Sequence, residues 1–123
     1  MNKILLSILL LGILTSAAEA QVIARVDKKT KEFSVAPDQK VEFTVFGYEF
    51  ANNTTRKMIC FSSNVNMVRG STCPLGAYFD TDRLKVGDKV LYVAPVGPFA
   101  RMIFISDGKK TLFYLPRNCL VIK

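Results

Sequence analysis

Beyond residue 20, apolar residues recur at every second position or in short runs, and nowhere at helical spacing. The clearest pattern lies between Leu84 and Ile122. Val90–Ala94, Arg101–Ile105, Leu112–Leu115 and Cys119–Ile122 read as strands, each closed by a turn signal. Pro95-Val96-Gly97-Pro98 is expected to break the first of these runs, and Pro116-Arg117-Asn118 to precede the last. Asp107-Gly108 between two β-prone runs is a strong hairpin signal, because both central residues of a type I′ turn need positive φ. In Leu112-Phe113-Tyr114-Leu115, Phe113 and Leu115 share one face while Leu112 and Tyr114 share the other.

Upstream, Val22–Val26 and Glu32–Val35 read as two short strands around the polar turn 27–31. Lys40–Phe50 (KVEFTVFGYEF) is the longest β signal. Val41, Phe43 and Val45 alternate with Glu42 and Thr44, as in a half-buried strand. From Phe46 both faces become apolar, and Gly47 at the changeover predicts a bulge or sharp bend. Arg56–Ser62 is a further strand, Ser63–Leu75 the longest loop, and Gly76–Phe79 a short apolar piece. The pattern predicts an all-β protein, a small antiparallel barrel or sandwich, with no repeat or linker to divide it.

The first residues change that picture only at the N-terminus. Lys3 precedes an apolar run, Ile4–Leu14, and a small-x-small end at Ala18-Glu19-Ala20. The run falls short of the roughly 20 residues a membrane span requires. Residues 1–20 therefore read as a cleaved signal peptide, and 21–123 as one β domain that is periplasmic or secreted. Lys3 and Glu19 leave together, so the net charge of +7 survives cleavage. Such a surplus favours anionic partners: an envelope polymer, or an acidic protein. Nucleic acid is not an expected partner for an exported chain, and oligomeric state is left open.

Three cysteines in an exported chain allow one internal disulfide and a leftover thiol. Cys60–Cys73 is the favoured pair, since it closes a short loop for about 3 kcal/mol in the chain-entropy view. Cys73–Cys119 and Cys60–Cys119 are the alternatives. Cys119, in the apolar run Cys119–Ile122, reads as a small buried residue.

The chain has no histidine, which excludes His-based triads, Cys–His nucleophiles and His-containing zinc sites. No C-x-x-C, P-loop or dinucleotide fingerprint is present. Asp80 and Asp82 resemble the start of a calcium loop, but Leu84 occupies the next ligand position and the twelfth-position glutamate is missing. Turn formation explains them better. No cofactor, metal or catalytic residue is assigned. Asn52-Asn53-Thr54-Thr55 holds two overlapping glycosylation patterns that read as turn composition in a bacterial-style chain. Candidate binding residues are the exposed basic and aromatic groups Arg69, Tyr78, Arg101, Lys109, Lys110, Tyr114 and Arg117.

Gly87-Asp88-Lys89-Val90-Leu91-Tyr92-Val93, followed by Phe113-Tyr114-Leu115-Pro116-Arg117-Asn118-Cys119-Leu120, resembles the second half of SH3-like barrels, including bacterial SH3-type envelope domains. Ala77-Tyr78-Phe79-Asp80 stands in that resemblance for the aromatic first strand, so it covers residues 77–122. It implies a barrel and, loosely, a ligand surface near Tyr78, Tyr114 and Pro116. Proline-peptide recognition is not implied: no tryptophan stands near Arg101-Met102, Cys119 replaces the groove tyrosine, and the stretch from Tyr78 to Lys85 is short. The expected function is a non-enzymatic binding module of the bacterial envelope or periplasm contacting an anionic polymer or a protein partner. The alternative is an inhibitor or immunity protein that blocks an enzyme or toxin through the disulfide-held loop Ser62–Leu75.

Overall fold

A computed structural model of the chain describes residues 22–35, 42–63, 73–75, 77–78 and 87–123. The leader, Arg69, Asp80 and Asp82 lie outside them. The strands are β1 (Ala24–Val26), β2 (Phe33–Val35), β3 (Thr44–Tyr48), β4 (Lys57–Ser62), β5 (Ala77–Tyr78), β6 (Lys89–Val96), β7 (Phe99–Ser106), β8 (Lys109–Pro116) and β9 (Leu120–Ile122). A 3₁₀ turn, Arg117–Cys119, leads into β9. The fold is all-β, an open sandwich or barrel-like pair of sheets.

The larger sheet runs β5-β4-β3-β8-β7-β6 and the smaller β9-β1-β2. They meet where Glu32 bridges Leu91 and the Tyr92 N–H donates to the Lys31 carbonyl at 2.9 Å. Most neighbours are antiparallel, as expected, but two pairs are parallel: β9 beside β1, and β5 beside β4. Both second strands return from outside the sheet, so neither is the other arm of a tight hairpin. The Cys60–Cys73 bond draws the chain back beside β4, where the Leu75 N–H donates to the Met58 carbonyl at 2.9 Å.

Turn chemistry sets the β6-β7-β8 meander. Asp107 and Gly108 hold φ of 52° and 75°, as a type I′ turn requires, and Ser106 pairs with Lys109 across them. The break expected at Pro95 comes later. β6 continues through Pro95 to Val96, and Gly97 (φ 58°) with Pro98 makes the turn. A register shift between Tyr92 and Ala94 marks a bulge at Val93. At a bulged strand on the sheet edge, the missing proline N–H costs no ladder bond. β3 is shorter than Lys40–Phe50 implied, and the irregularity expected at Gly47 falls between Gly47 and Tyr48.

Both sheets contribute to one core. Ile23, just before β1, and Phe33 and Val35 of β2 pack with Ile59, Phe61, Met102, Phe113 and Leu115 from the large sheet. Phe61 is its centre: its ring lies 4.9 Å from that of Phe33, 6.3 Å from Phe113 and 6.0 Å from Tyr78. Ser62 is fully buried and shares a 3.0 Å hydrogen bond with Thr44 Oγ1. Asp27 Oδ1 accepts the N–H groups of Thr30 and Lys29 at 2.8 Å each, capping the β1–β2 turn. These bonds, Thr30 first, hold its carboxyl below the usual 3.8.

The disulfide is the expected one, and Cys119 is left free and buried. Its thiol donates to the Pro116 carbonyl at 2.9 Å, while burial pushes its pKa up to about 12. Almost no thiolate exists at neutral pH, and the thiolate is the reactive form. Iodoacetamide is therefore expected to add nothing to the native protein, one adduct after unfolding without reductant, and three after unfolding with reductant. Intact mass reads the result, and three adducts without reductant would remove the disulfide from the account.

Candidate binding face

Strand alternation gives the β6-β7-β8 meander two different faces. Ala100, Met102 and Phe104 of β7 turn inward and are buried, as are Phe113 and Leu115 of β8. The outward residues fall into cross-strand rows set by the register. Leu91, Ile103 and Leu112 form one row, Ala94, Arg101 and Tyr114 the next, and Val96, Phe99 and Pro116 a third. The row nearest the Asp107-Gly108 turn is Lys89, Ile105 and Lys110.

This outward face is largely apolar, with Lys89 and Lys110 at one end and Arg101 among its aromatic residues. Leu112 is 50% exposed and Val93, at the bulge, 43%. Solvated faces of antiparallel sheets are ordinarily polar, so a row such as Leu91-Ile103-Leu112 makes this face a candidate contact surface. Tyr48 of β3 pairs with Tyr114 and extends the face, its ring edge-on to Phe99 at 6.4 Å. Partial burial raises the Tyr48 phenol pKa, so it stays protonated at neutral pH.

Cations lie over this aromatic ground. Lys57 Nζ sits 4.0 Å from the Phe46 ring centroid. The Arg101 guanidinium lies 5.6 Å from the Tyr114 centroid, and its Nε donates to the Tyr114 hydroxyl at 3.1 Å. Such contacts hold the charge in place and leave it available to an anion. Lys89 is partly matched by Glu32 at 3.7 Å, and Arg56 by Glu49 at 3.4 Å; both pairs are exposed and screened.

Of the residues the sequence singled out, Arg101, Tyr114 and Lys110 share the outward face. Lys109 is exposed at the hairpin end, and Arg117 is exposed on the 3₁₀ turn, its N–H donating to the Pro98 carbonyl at 2.8 Å. Tyr78 does not join them. Its ring packs on the core side against Phe61 and, at 5.7 Å, Phe104, and its hydroxyl donates to the Leu75 carbonyl at 3.0 Å. Burial first, then the Asp88 charge, raises its pKa.

The residues missed were Phe46, Tyr48, Lys57, Ile103 and Leu112. Their signal was present: Phe99–Ser106 and Lys109–Pro116 carry apolar side chains on both faces, more than a one-sided core consumes. Among the described residues no cluster of His, Cys, Asp or Glu is placed to hold a metal ion, and no helix is long and apolar enough to cross a membrane. No family model matches the chain, and neither a curated protein nor a solved structure matches it.

Proposed function

We propose that this protein is an exported binding module, periplasmic or secreted, whose outward β3-β8-β7-β6 face docks an anionic polymer of the cell envelope. One observation carries the reading. An apolar, aromatic sheet face carries Arg101 within it and Lys57 and Lys110 towards its edges, on a chain of net charge +7. The apolar middle supplies area and the cations supply complementarity to a negative partner. The role is binding, with no catalytic step assigned. The SH3-like reading of the C-terminal half belongs to the same proposal, supported by the β6-β7-β8 meander and the 3₁₀ turn before β9. The second reading, an inhibitor acting through residues 62–75, draws support from the Cys60–Cys73 bond at the base of that loop.

The test is co-sedimentation with purified cell wall and with lipopolysaccharide across a salt series. Binding is expected at low salt and is expected to fade towards 1 M, where the Debye length shrinks to about 3 Å. The Lys57→Glu/Lys110→Glu pair is expected to weaken it by about tenfold or more, since each change reverses a charge at the contact. No binding to either material at low salt ends the proposal. A salt-resistant 1:1 complex with one protein would establish the inhibitor reading instead.

A further inference from the structure

The cleft of about 530 Å³ between the β1–β2 turn and β6 holds Arg25, Lys89 and Lys123 against Asp27, Glu32 and Asp88. The groove at the opposite end of the outward face is different in kind. It measures about 520 Å³, within the range of about 300–1,000 Å³ usual for small-ligand sites, and no charged side chain lines it. Its walls are Tyr48, Phe99, Pro98 and Pro116, and its polar groups include the amides of Asn53 and Asn118.

Three turns build the groove, and each is held in place. The Asn52 N–H donates to the Phe50 carbonyl at 2.7 Å, and the Thr55 hydroxyl donates to the Asn52 carbonyl at 2.8 Å. Asn52 Oδ1 accepts from the Thr54 N–H at 2.8 Å and from its hydroxyl at 2.7 Å. Arg117 N–H to the Pro98 carbonyl ties the 3₁₀ turn to the β6–β7 turn. Asn52 is thus spent on the loop itself, while Asn53 and Asn118 are exposed at the groove. Prolines on two sides limit rearrangement further, so a ligand meets a formed site and little ordering cost.

We propose that this groove, which shares Tyr48, Phe99 and Pro116 with the end of the outward face but none of its charges, is a binding site for one neutral sugar unit of a glycan. A pyranose ring presents an apolar C–H face and an equatorial rim of hydroxyls. The edge-on Tyr48 and Phe99 rings offer a surface for the first. Each hydroxyl both donates and accepts, and a carboxamide supplies an acceptor beside two donors, which matches Asn53 and Asn118 to the second. An uncharged lining offers no counter-charge to an ion, so it suits an uncharged, hydroxyl-rich ligand and not a phosphate or acidic peptide. A proline-rich peptide would use the same rings but has no hydroxyl rim for the amides.

The experiment titrates the purified, disulfide-intact protein with chitotetraose, cellotetraose and maltotetraose, by calorimetry and by amide chemical shifts. At least one sugar is expected to bind, to move the Tyr48, Phe99 and Asn118 signals, and to do so equally at low and high salt. Tyr48→Ala is expected to weaken binding about tenfold, the size of one lost aromatic contact. Asn118→Ala, on an exposed turn and harmless to the core, is expected to weaken it severalfold with the melting temperature unchanged. Lys57→Glu/Lys110→Glu is expected to leave sugar binding as it is, and a failure of the unaltered protein to bind envelope polymer counts against the charged face and not this groove. If none of the three sugars binds, or if a polyproline peptide binds and is indifferent to Asn118→Ala, the assignment is overturned.

Discussion

Phe61→Ala is expected to cost the protein about 3–5 kcal/mol, a large part of its stability. Phe61 has no solvent exposure and touches three separate parts of the fold. Its ring meets Phe33 of the small sheet at 4.9 Å, Phe113 of β8 at 6.3 Å and Tyr78 of β5 at 6.0 Å. Truncating a buried phenylalanine costs about 3–5 kcal/mol, the lost transfer energy plus the cavity left behind. A domain of this size has only about 5–15 kcal/mol in total. The cavity cannot close easily, because its walls belong to two sheets joined by the Glu32–Leu91 bridge. Urea denaturation followed by far-ultraviolet circular dichroism measures the loss. Phe61→Leu, which keeps most of the volume, is expected to lose much less. A loss below about 1 kcal/mol for Phe61→Ala would mean that the sheets do not share the core ascribed to them.

How much of this architecture was legible in the sequence depended on the range of the interaction. The Asp107-Gly108 turn needed only two residues and their positive φ, and it formed where expected. The alternation of Phe113 and Leu115 against Leu112 and Tyr114 needed only strand geometry, and the burial follows it. Pro95 misled because proline punctuates most strands, whereas here it sits on an edge strand beside a bulge, where its missing N–H is tolerated. The parallel placements of β5 and β9 were not legible, since each depends on where a distant segment returns. Tyr78 was misplaced for a related reason. Gly76–Phe79 is too short to show which of its sides faces a core.

The proposed binding face was half legible, and the reason is physical. Arg101, Lys110 and Tyr114 stood out because charge and aromaticity are visible residue by residue. Ile103 and Leu112 did not, because an aliphatic side chain looks the same whether it fills a core or a docking surface. Only the register, which aligns Leu91, Ile103 and Leu112 in one outward row, separates the two. The same register places Tyr48 opposite Tyr114 and brings the neutral groove to the end of the charged face. The proposed sugar site and the proposed anion-binding face are therefore neighbours on one sheet with different chemistries: one screened by salt, the other indifferent to it.

Gly47→Val is expected to destabilise the protein by about 3 kcal/mol or more, at or beyond the upper end of ordinary overpacking. The reason is a close approach and not backbone freedom. A β-carbon at Gly47 would stand 2.5 Å from Phe113 Cδ2 and 2.7 Å from Ile59 Cγ2. Both neighbours are fully buried, so neither ring nor branched side chain can swing into solvent to make room. Valine adds two further methyl groups to that collision, and β3 is the strand between β4 and β8, so any retreat of its backbone strains both pairings. Gly47→Ala is expected to show the same effect in milder form. The cause can be isolated by a double-mutant cycle. Phe113→Leu removes the ring edge that the new carbon meets, so Gly47→Ala with Phe113→Leu is expected to cost less than the sum of the two single changes. Urea midpoints of the four proteins give the coupling. Additive costs would place the collision elsewhere, and a stable Gly47→Val protein would mean that β3 does not approach Phe113 as closely as the packing requires.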